Sequence, residues 1–299
     1  MAASDAIRVI PTGGALGADI EGVDLSIPLS EAQFAVIERA WMNHLVLRFR
    51  GQRLTDPQLV GFSRRFGELE TAPISTDRDP SALEHLPEVL VVSNIVENGK
   101  SIGSLGSYEA EWHTDMSYRE LCPSASILHA IEIPAVGGDT GFSNMYTAYA
   151  TLPVAVRERI ETLGCRHDAS RNSAGELRKG YKEVTDPRQT PGAIHPLVRT
   201  HPLTQRRALF LGRRRNAYVP GLPLEESEAL LDLLWAHATR PEFAWTQKWR
   251  VGDLVIWDNR CTMHRRDALD PSARRLMHRT QIGNERPFLE PAAMYAAQR

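Results

Sequence analysis

Two histidines and one aspartate carry the chemistry most legible in this chain. His113 and Asp115 lie in Glu111-Trp112-His113-Thr114-Asp115, and His264 closes the stretch Trp257-Asp258-Asn259-Arg260-Cys261-Thr262-Met263-His264. On a β-strand, residues i and i+2 project to one face, so an imidazole and a carboxylate at 113 and 115 read as converging on one point. With His264 as the third donor, the set leaves three positions open on an octahedral ion, as in non-haem Fe(II) oxygenases. The same three donors also suit zinc with an open position, as in a hydrolase. His-x-Asp alone is a weak signal, and His85, His129, His167 and His237 read as surface or satisfied core groups.

Arg275 and Arg279 flank Leu276-Met277-His278. On a strand, positions four apart share a face, with Met277 between them. Two guanidinium groups fixed on the side of a metal would bind carboxylates bidentately. The plainer reading is the solvated edge of a basic run, since Arg265, Arg266 and Arg274 are close by.

The elements that must position these groups are mostly short strands. Residues 7–11, 19–24, 44–49, 89–95, 126–133, 195–200, 208–212, 253–257 and 276–282 read as strands from their β-branched and apolar content. Ser30-Glu31-Ala32-Gln33 is a capping box opening a helix to about Asn43, and Thr55-Asp56-Pro57-Gln58 opens a second that Gly67 stops. Further helices are expected at 144–151, 153–163 and 224–238, the second ending at Gly164. Residues 97–110 read as a Gly- and Ser-rich loop. Residues 169–194 lack periodic apolar signal, and a stretch that long is expected to be a functional lid or disordered. The pattern predicts a mainly β fold with helical insertions, a jelly roll, in one domain spanning 1–299.

Composition narrows the function classes. Net charge is −2 with pI about 6.6, so nothing in bulk electrostatics favours nucleic acid or an anionic membrane. The three cysteines, Cys122, Cys165 and Cys261, form neither a disulfide framework nor a zinc spacing. Gly13-Gly14-Ala15-Leu16-Gly17 lacks the spacing of a phosphate loop. With no signal peptide and no apolar run of membrane-spanning length, a soluble cytoplasmic protein acting on a small molecule is expected.

Five stretches together resemble the taurine dioxygenase family of Fe(II)- and 2-oxoglutarate-dependent oxygenases. They are Trp112-His113-Thr114-Asp115, Gly137-Gly138-Asp139-Thr140, residues His195 to Pro202, Trp257 to His264, and Arg275 to Arg279. The likeness runs from about residue 8 to about 288 and implies a double-stranded β-helix. It implies that His113, Asp115 and His264 hold Fe(II), and that Arg275 and Thr140 bind the distal carboxylate of 2-oxoglutarate. Trp257 would line that pocket, and Arg279 would sit between cosubstrate and primary substrate. O2 would be consumed, with succinate and CO2 released as the substrate is hydroxylated. Asp115 favours hydroxylation over halogenation, which would need a small residue there. By family spacing, Ser75, Glu109, Asn172 and Arg215 fall near the substrate, with Arg213-Arg214-Arg215 otherwise a solvated run. These residue types make taurine a poor fit and a small or medium organic acid, amine-bearing or sulfonate-like, a better one. Tyr118 and Tyr218 fit either pocket walls or core. The family likeness also implies a homo-oligomer, dimer or tetramer. The alternatives are a zinc-dependent hydrolase using the same triad, which would not need Arg275 or Thr140, and a non-catalytic 2-oxoglutarate-binding module.

Overall fold

Side-chain alternation on a few strands decides where everything else goes. In the computed structural model, which describes residues 7–71, 86–106, 110–172 and 175–290, strand Leu254–Asp258 sends Leu254 and Ile256 to one face and Val255 and Trp257 to the other. Neighbouring strands follow the same rule. Leu47, Phe49, Ile127 and Ile282 join Leu254 and Ile256 against Ile37, Trp41, Leu59 and Phe62 of two helices. Val46, Leu128 and Met277 join Val255 and Trp257 on the opposite face. Each helix stripe and each sheet face thus buries apolar surface that neither could bury alone.

The large sheet has eight strands, in the order Arg8–Pro11, Ala18–Glu21, Val46–Phe49, Leu254–Asp258, Ala125–Glu132, Leu276–Ile282, Leu90–Ser93 and Ser104–Leu105. A second sheet of four, Ala244–Gln247, Thr140–Asn144, Thr262–Arg266 and Ala110–His113, supplies Phe142 and Met263 to the core between the two. The result is the jelly roll that the strand pattern predicts. No helix among the described residues is long and apolar enough to cross a membrane.

Helix Glu31–His44 opens on the expected capping box, with Ser30 Oγ accepting from the Gln33 amide and Gln33 Oε1 from the Ser30 amide. It runs to His44 and stops where Leu45 takes φ 67°, so the following strand starts at Val46. Three readings of the sequence need correction. The stretch read as a loop over 97–110 contains the hairpin Val96–Glu97/Lys100–Ser101 and strand Ser104–Leu105, which pairs parallel to Leu90–Ser93. Its polar composition hid pairing that is satisfied through backbone groups alone. Gly164 starts strand Gly164–Arg166 rather than simply ending a helix, because helix Val154–Ile160 stops earlier. The run 195–200 is split into Ile194–Pro196 and Val198–Thr200, which pair with different partners.

Candidate active site

His113 closes strand Ala110–His113, and its cross-strand partner in Thr262–Arg266 is His264. Directly opposed residues bring their side chains together, and the two ring centroids are 4.2 Å apart. Asp115 reaches them differently from the expectation. The strand ends at His113, and the chain turns, with Met116 at φ 50°, so a turn rather than strand alternation returns the carboxylate. Asp115 Oδ1 lies 3.7 Å from His113 Nε2 and 3.8 Å from His264 Nε2. The three donor atoms are buried and within 4.8 Å of one another.

Their protonation suits a cation. His113 Nδ1 donates to the Glu111 carbonyl at 2.6 Å, which leaves its Nε2 lone pair facing Asp115. Burial, helped by the neighbouring His113, lowers the His264 pKa to about 3, so this imidazole is neutral. Burial pushes the Asp115 carboxyl up, but the Arg279 guanidinium and the two imidazoles outweigh it and hold it well below the usual range. Two imidazoles and one carboxylate with their donor atoms brought this close together form a donor set that fits a divalent metal.

The pocket that opens from the two imidazoles is lined by Thr140, Trp257, Arg266, Arg275 and Arg279, with Leu128 beneath. Arg275 is 2% exposed, and its buried Nε has no hydrogen-bond partner. Burial, with Arg266 nearby, lowers its pKa to about 9, which still leaves it charged at neutral pH. No carboxylate among the described residues pairs with it. Thr140 Oγ accepts from Trp249 Nε1 at 3.0 Å, so the hydroxyl proton is free to point into the pocket. Gly138 sits at φ 70°, and a Cβ there would come within 3.3 Å of the Arg275 side chain. The Gly137-Gly138 turn therefore serves the arginine directly. Arg279 contacts Asp115 at 3.4 Å and lines the same pocket.

The residues expected near the primary substrate are less concentrated. Ser75 and Glu109 lie outside the described residues. Asn172 donates to Glu176 at 2.7 Å on the half-buried outer side. Arg215 is exposed, whereas Arg213 of the same run is half-buried, with a shielded Nε and, among the described residues, one long hydrogen bond, 3.5 Å, to the Arg171 carbonyl. Thr114, between His113 and Asp115, donates to the Leu211 carbonyl at 2.8 Å and so draws this segment to the triad. Burial and Arg178 lower the Arg213 pKa to about 10 against the opposing pull of Asp115. Tyr118 carries Arg178 over its ring at 3.9 Å, while Tyr218 bonds the Leu222 carbonyl as an ordinary structural group.

Sequence reasoning did not single out Trp249, Ser126, Asn259, Arg266 or Arg213 as individual site residues. Asn259 and Arg266 lie within or beside a recognised stretch, but Trp249 and Ser126 carry no local signal, since only the folded sheet shows what they touch. A second group, His201, Asp258 and Cys261, also has metal-capable atoms within 4.8 Å of one another. Its donors are already used. His201 Nε2 donates to Asp258 at 2.9 Å and its Nδ1 accepts two backbone amides, while Arg260 takes both oxygens of Asp258.

A jelly roll with this donor set and an unpaired arginine in one pocket defines the class of 2-oxoglutarate-dependent oxygenases. The family model described as "Taurine catabolism dioxygenase TauD, TfdA family" matches residues 8–281, and the chain belongs to this family. It is 37% identical over 270 residues to the alpha-ketoglutarate-dependent 2,4-dichlorophenoxyacetate dioxygenase of Cupriavidus pinatubonensis, covering 88% of this chain and 92% of that one. It is 33% identical over 291 residues to pentalenolactone F synthase of Streptomyces avermitilis, covering 89% and 90%. Among solved structures, AAD-2 in complex with Mn(II) and N-oxalylglycine superposes with a TM-score of 0.76 at 31% identity, covering 95% of this chain and 100% of that one. The protein is thus a 2-oxoglutarate-dependent dioxygenase using Fe(II) and O2, and not a hydrolase or a non-catalytic module.

Proposed function

We propose that the protein hydroxylates a small or medium organic acid held beside His113, Asp115 and His264. The observation that carries the site assignment is Arg275, a buried guanidinium with no carboxylate partner at the pocket that begins on the two imidazoles. A buried cation of this kind calls for an anion. In this reading the triad holds Fe(II), Arg275 takes the distal carboxylate of 2-oxoglutarate, and the Thr140 hydroxyl donates a second hydrogen bond to it. Trp257 walls the cosubstrate. Arg279, tied to Asp115, stands where cosubstrate and primary substrate meet. The bound metal and cosubstrate supply the oxidising chemistry that converts C–H, O2 and 2-oxoglutarate into C–OH, succinate and CO2. The chain's own work is to orient, to screen charge and to keep water out.

For the primary substrate, the half-buried Arg213 favours a carboxylate or sulfate head group. The segment 169–194 is read as the lid on that side. The name of one relative, a 2,4-dichlorophenoxyacetate dioxygenase, makes an aryloxyacetate the first probe. Hydroxylation at the carbon bearing the ether oxygen gives a hemiacetal, which collapses to a phenol and glyoxylate. We read the enzyme as a cytoplasmic homo-oligomer.

The test begins without oxygen. Fe(II) and 2-oxoglutarate are added to the metal-free protein, and the visible charge-transfer band of the chelate is expected. Admitting air with 2,4-dichlorophenoxyacetate, (S)-2-phenoxypropionate or an alkyl sulfate is then expected to yield succinate coupled to product from at least one of them. Absence of the band rejects the site assignment. A band with no coupled turnover on any anionic probe rejects the substrate class.

A further inference from the structure

The centre of the large sheet carries a chain of buried hydrogen bonds that ends on Asp115. Ser126 lies on strand Ala125–Glu132, and its cross-strand partners are Trp257 on one side and Gln281 on the other. Opposed residues share a face, so all three side chains project toward the triad. Trp257 Nε1 donates to Asn259 Oδ1 at 2.9 Å. That contact fixes which end of the amide is which, because an indole N–H only donates. Asn259 Nδ2 then donates to Ser126 Oγ at 3.0 Å, joined by Gln281 Nε2 at 3.5 Å. With its oxygen receiving donors, Ser126 has one proton to give, and it goes to Asp115 Oδ2 at 2.9 Å. Ser126, Asn259 and Trp257 are each no more than 2% exposed.

The direction of this relay has a consequence for the carboxylate. Oδ2 is held by Ser126, while Oδ1 faces both imidazole Nε2 atoms. We propose that Ser126 and Asn259 are positioning residues that present Asp115 to the metal through Oδ1 alone. Trp257, which walls the cosubstrate pocket, anchors the far end of the relay, so one side chain serves both sites. This inference rests on the triad being the metal site.

Two variants separate the relay from mere packing. Ser126→Ala deletes the last donor. Asn259→Asp keeps the volume but reverses the local polarity: an aspartate still accepts from Trp257 yet has no proton for Ser126, whose hydroxyl turns toward it and releases Asp115. The readout is Co(II) titrated into the metal-free protein, followed by its d–d absorption, with circular dichroism and Tm reporting the fold. Each variant is expected to bind Co(II) about 10–100-fold more weakly, the usual cost of losing an outer-shell partner, with an altered d–d spectrum. Wild-type affinity and spectrum in either folded variant overturn the proposal. Wild-type protein that binds no Co(II), or a His264→Ala variant that binds it unchanged, would instead reject the metal site itself. A crystal structure of the wild-type protein with Mn(II) needs no variant to fold. The metal is expected on Oδ1 with the Ser126 bond intact, and metal on Oδ2 or a broken Ser126 bond overturns the proposal.

Discussion

An arginine buried without a counter-ion is costly, and a fold keeps one where a ligand supplies the missing charge. Arg275 has no carboxylate in contact among the described residues, Asp139 acting on it only at longer range, and it shares its pocket with Thr140, whose oxygen accepts from Trp249, and adjoins Gly138, which has no Cβ to obstruct it. Arg275→Ala is therefore expected to weaken 2-oxoglutarate binding by about 2 kcal/mol or more, roughly 30-fold, while Co(II) affinity stays near wild type. Titrating the chelate band against 2-oxoglutarate measures the first quantity, and an unchanged midpoint would make this arginine a structural charge. Residue types alone brought out the triad and the two arginines, because metal ligation and carboxylate binding use few side chains. They did not bring out Trp249 or Ser126. A tryptophan indole and a serine hydroxyl have too many ordinary uses for either to be informative until its partner is known.

At the level of elements, the work lies in cross-strand pairing. His113 opposes His264, which opposes Phe142, while Thr140 opposes Arg266, so one small sheet brings two metal-capable imidazoles and the Thr140 hydroxyl to one pocket in register. The strands of the large sheet are legible from their β-branched and apolar runs. Thr140–Asn144 does not read as a strand, since Thr-Gly-Phe-Ser-Asn has no β-branched or apolar run, although every residue of it is buried. Asp115 shows the same limit from the other side: period two led to the right pair of residues for a reason the turn at Met116 does not share. The turn before Thr140 is equally tied to the site. Gly138→Ala places a side chain at φ 70° and a methyl 3.3 Å from Arg275. A loss of about 1–2 kcal/mol in stability is expected from the backbone alone. A lower apparent affinity for 2-oxoglutarate should accompany it, because the arginine must move. A lower Tm with unchanged 2-oxoglutarate titration would show that the turn matters only to folding.

Across the whole molecule, Asp258 joins layers that are distant in sequence. Its amide donates to the Leu45 carbonyl at the end of the first helix, and its carboxylate receives His201 and both arms of Arg260. Arg260 in turn lies over the Trp41 ring at 5.1 Å and stands 4.0 Å from Glu285, which pairs with the buried Arg199. The Asp258 of the Trp257–His264 stretch is thus a structural hub in the same stretch that ends on the metal-capable His264. Burial alone would push its carboxyl up, but Arg260 and His201 outweigh that and hold its pKa well below the usual value. A folded pKa below the unfolded value of about 3.9 means that ionised Asp258 stabilises the protein above that pH. The contribution is lost as pH falls below it toward the folded pKa. Asp258→Asn removes the charge, leaves Arg260 under-compensated, and is expected to cost about 3–5 kcal/mol at neutral pH, as breaking a buried pair does. The variant should also lose less stability than wild type between about pH 5 and pH 2, because it no longer has that proton to take up. Urea unfolding across this range measures both effects. Parallel wild-type and variant profiles would show that the acid sensitivity resides in other carboxylates and that Asp258 acts through shape alone.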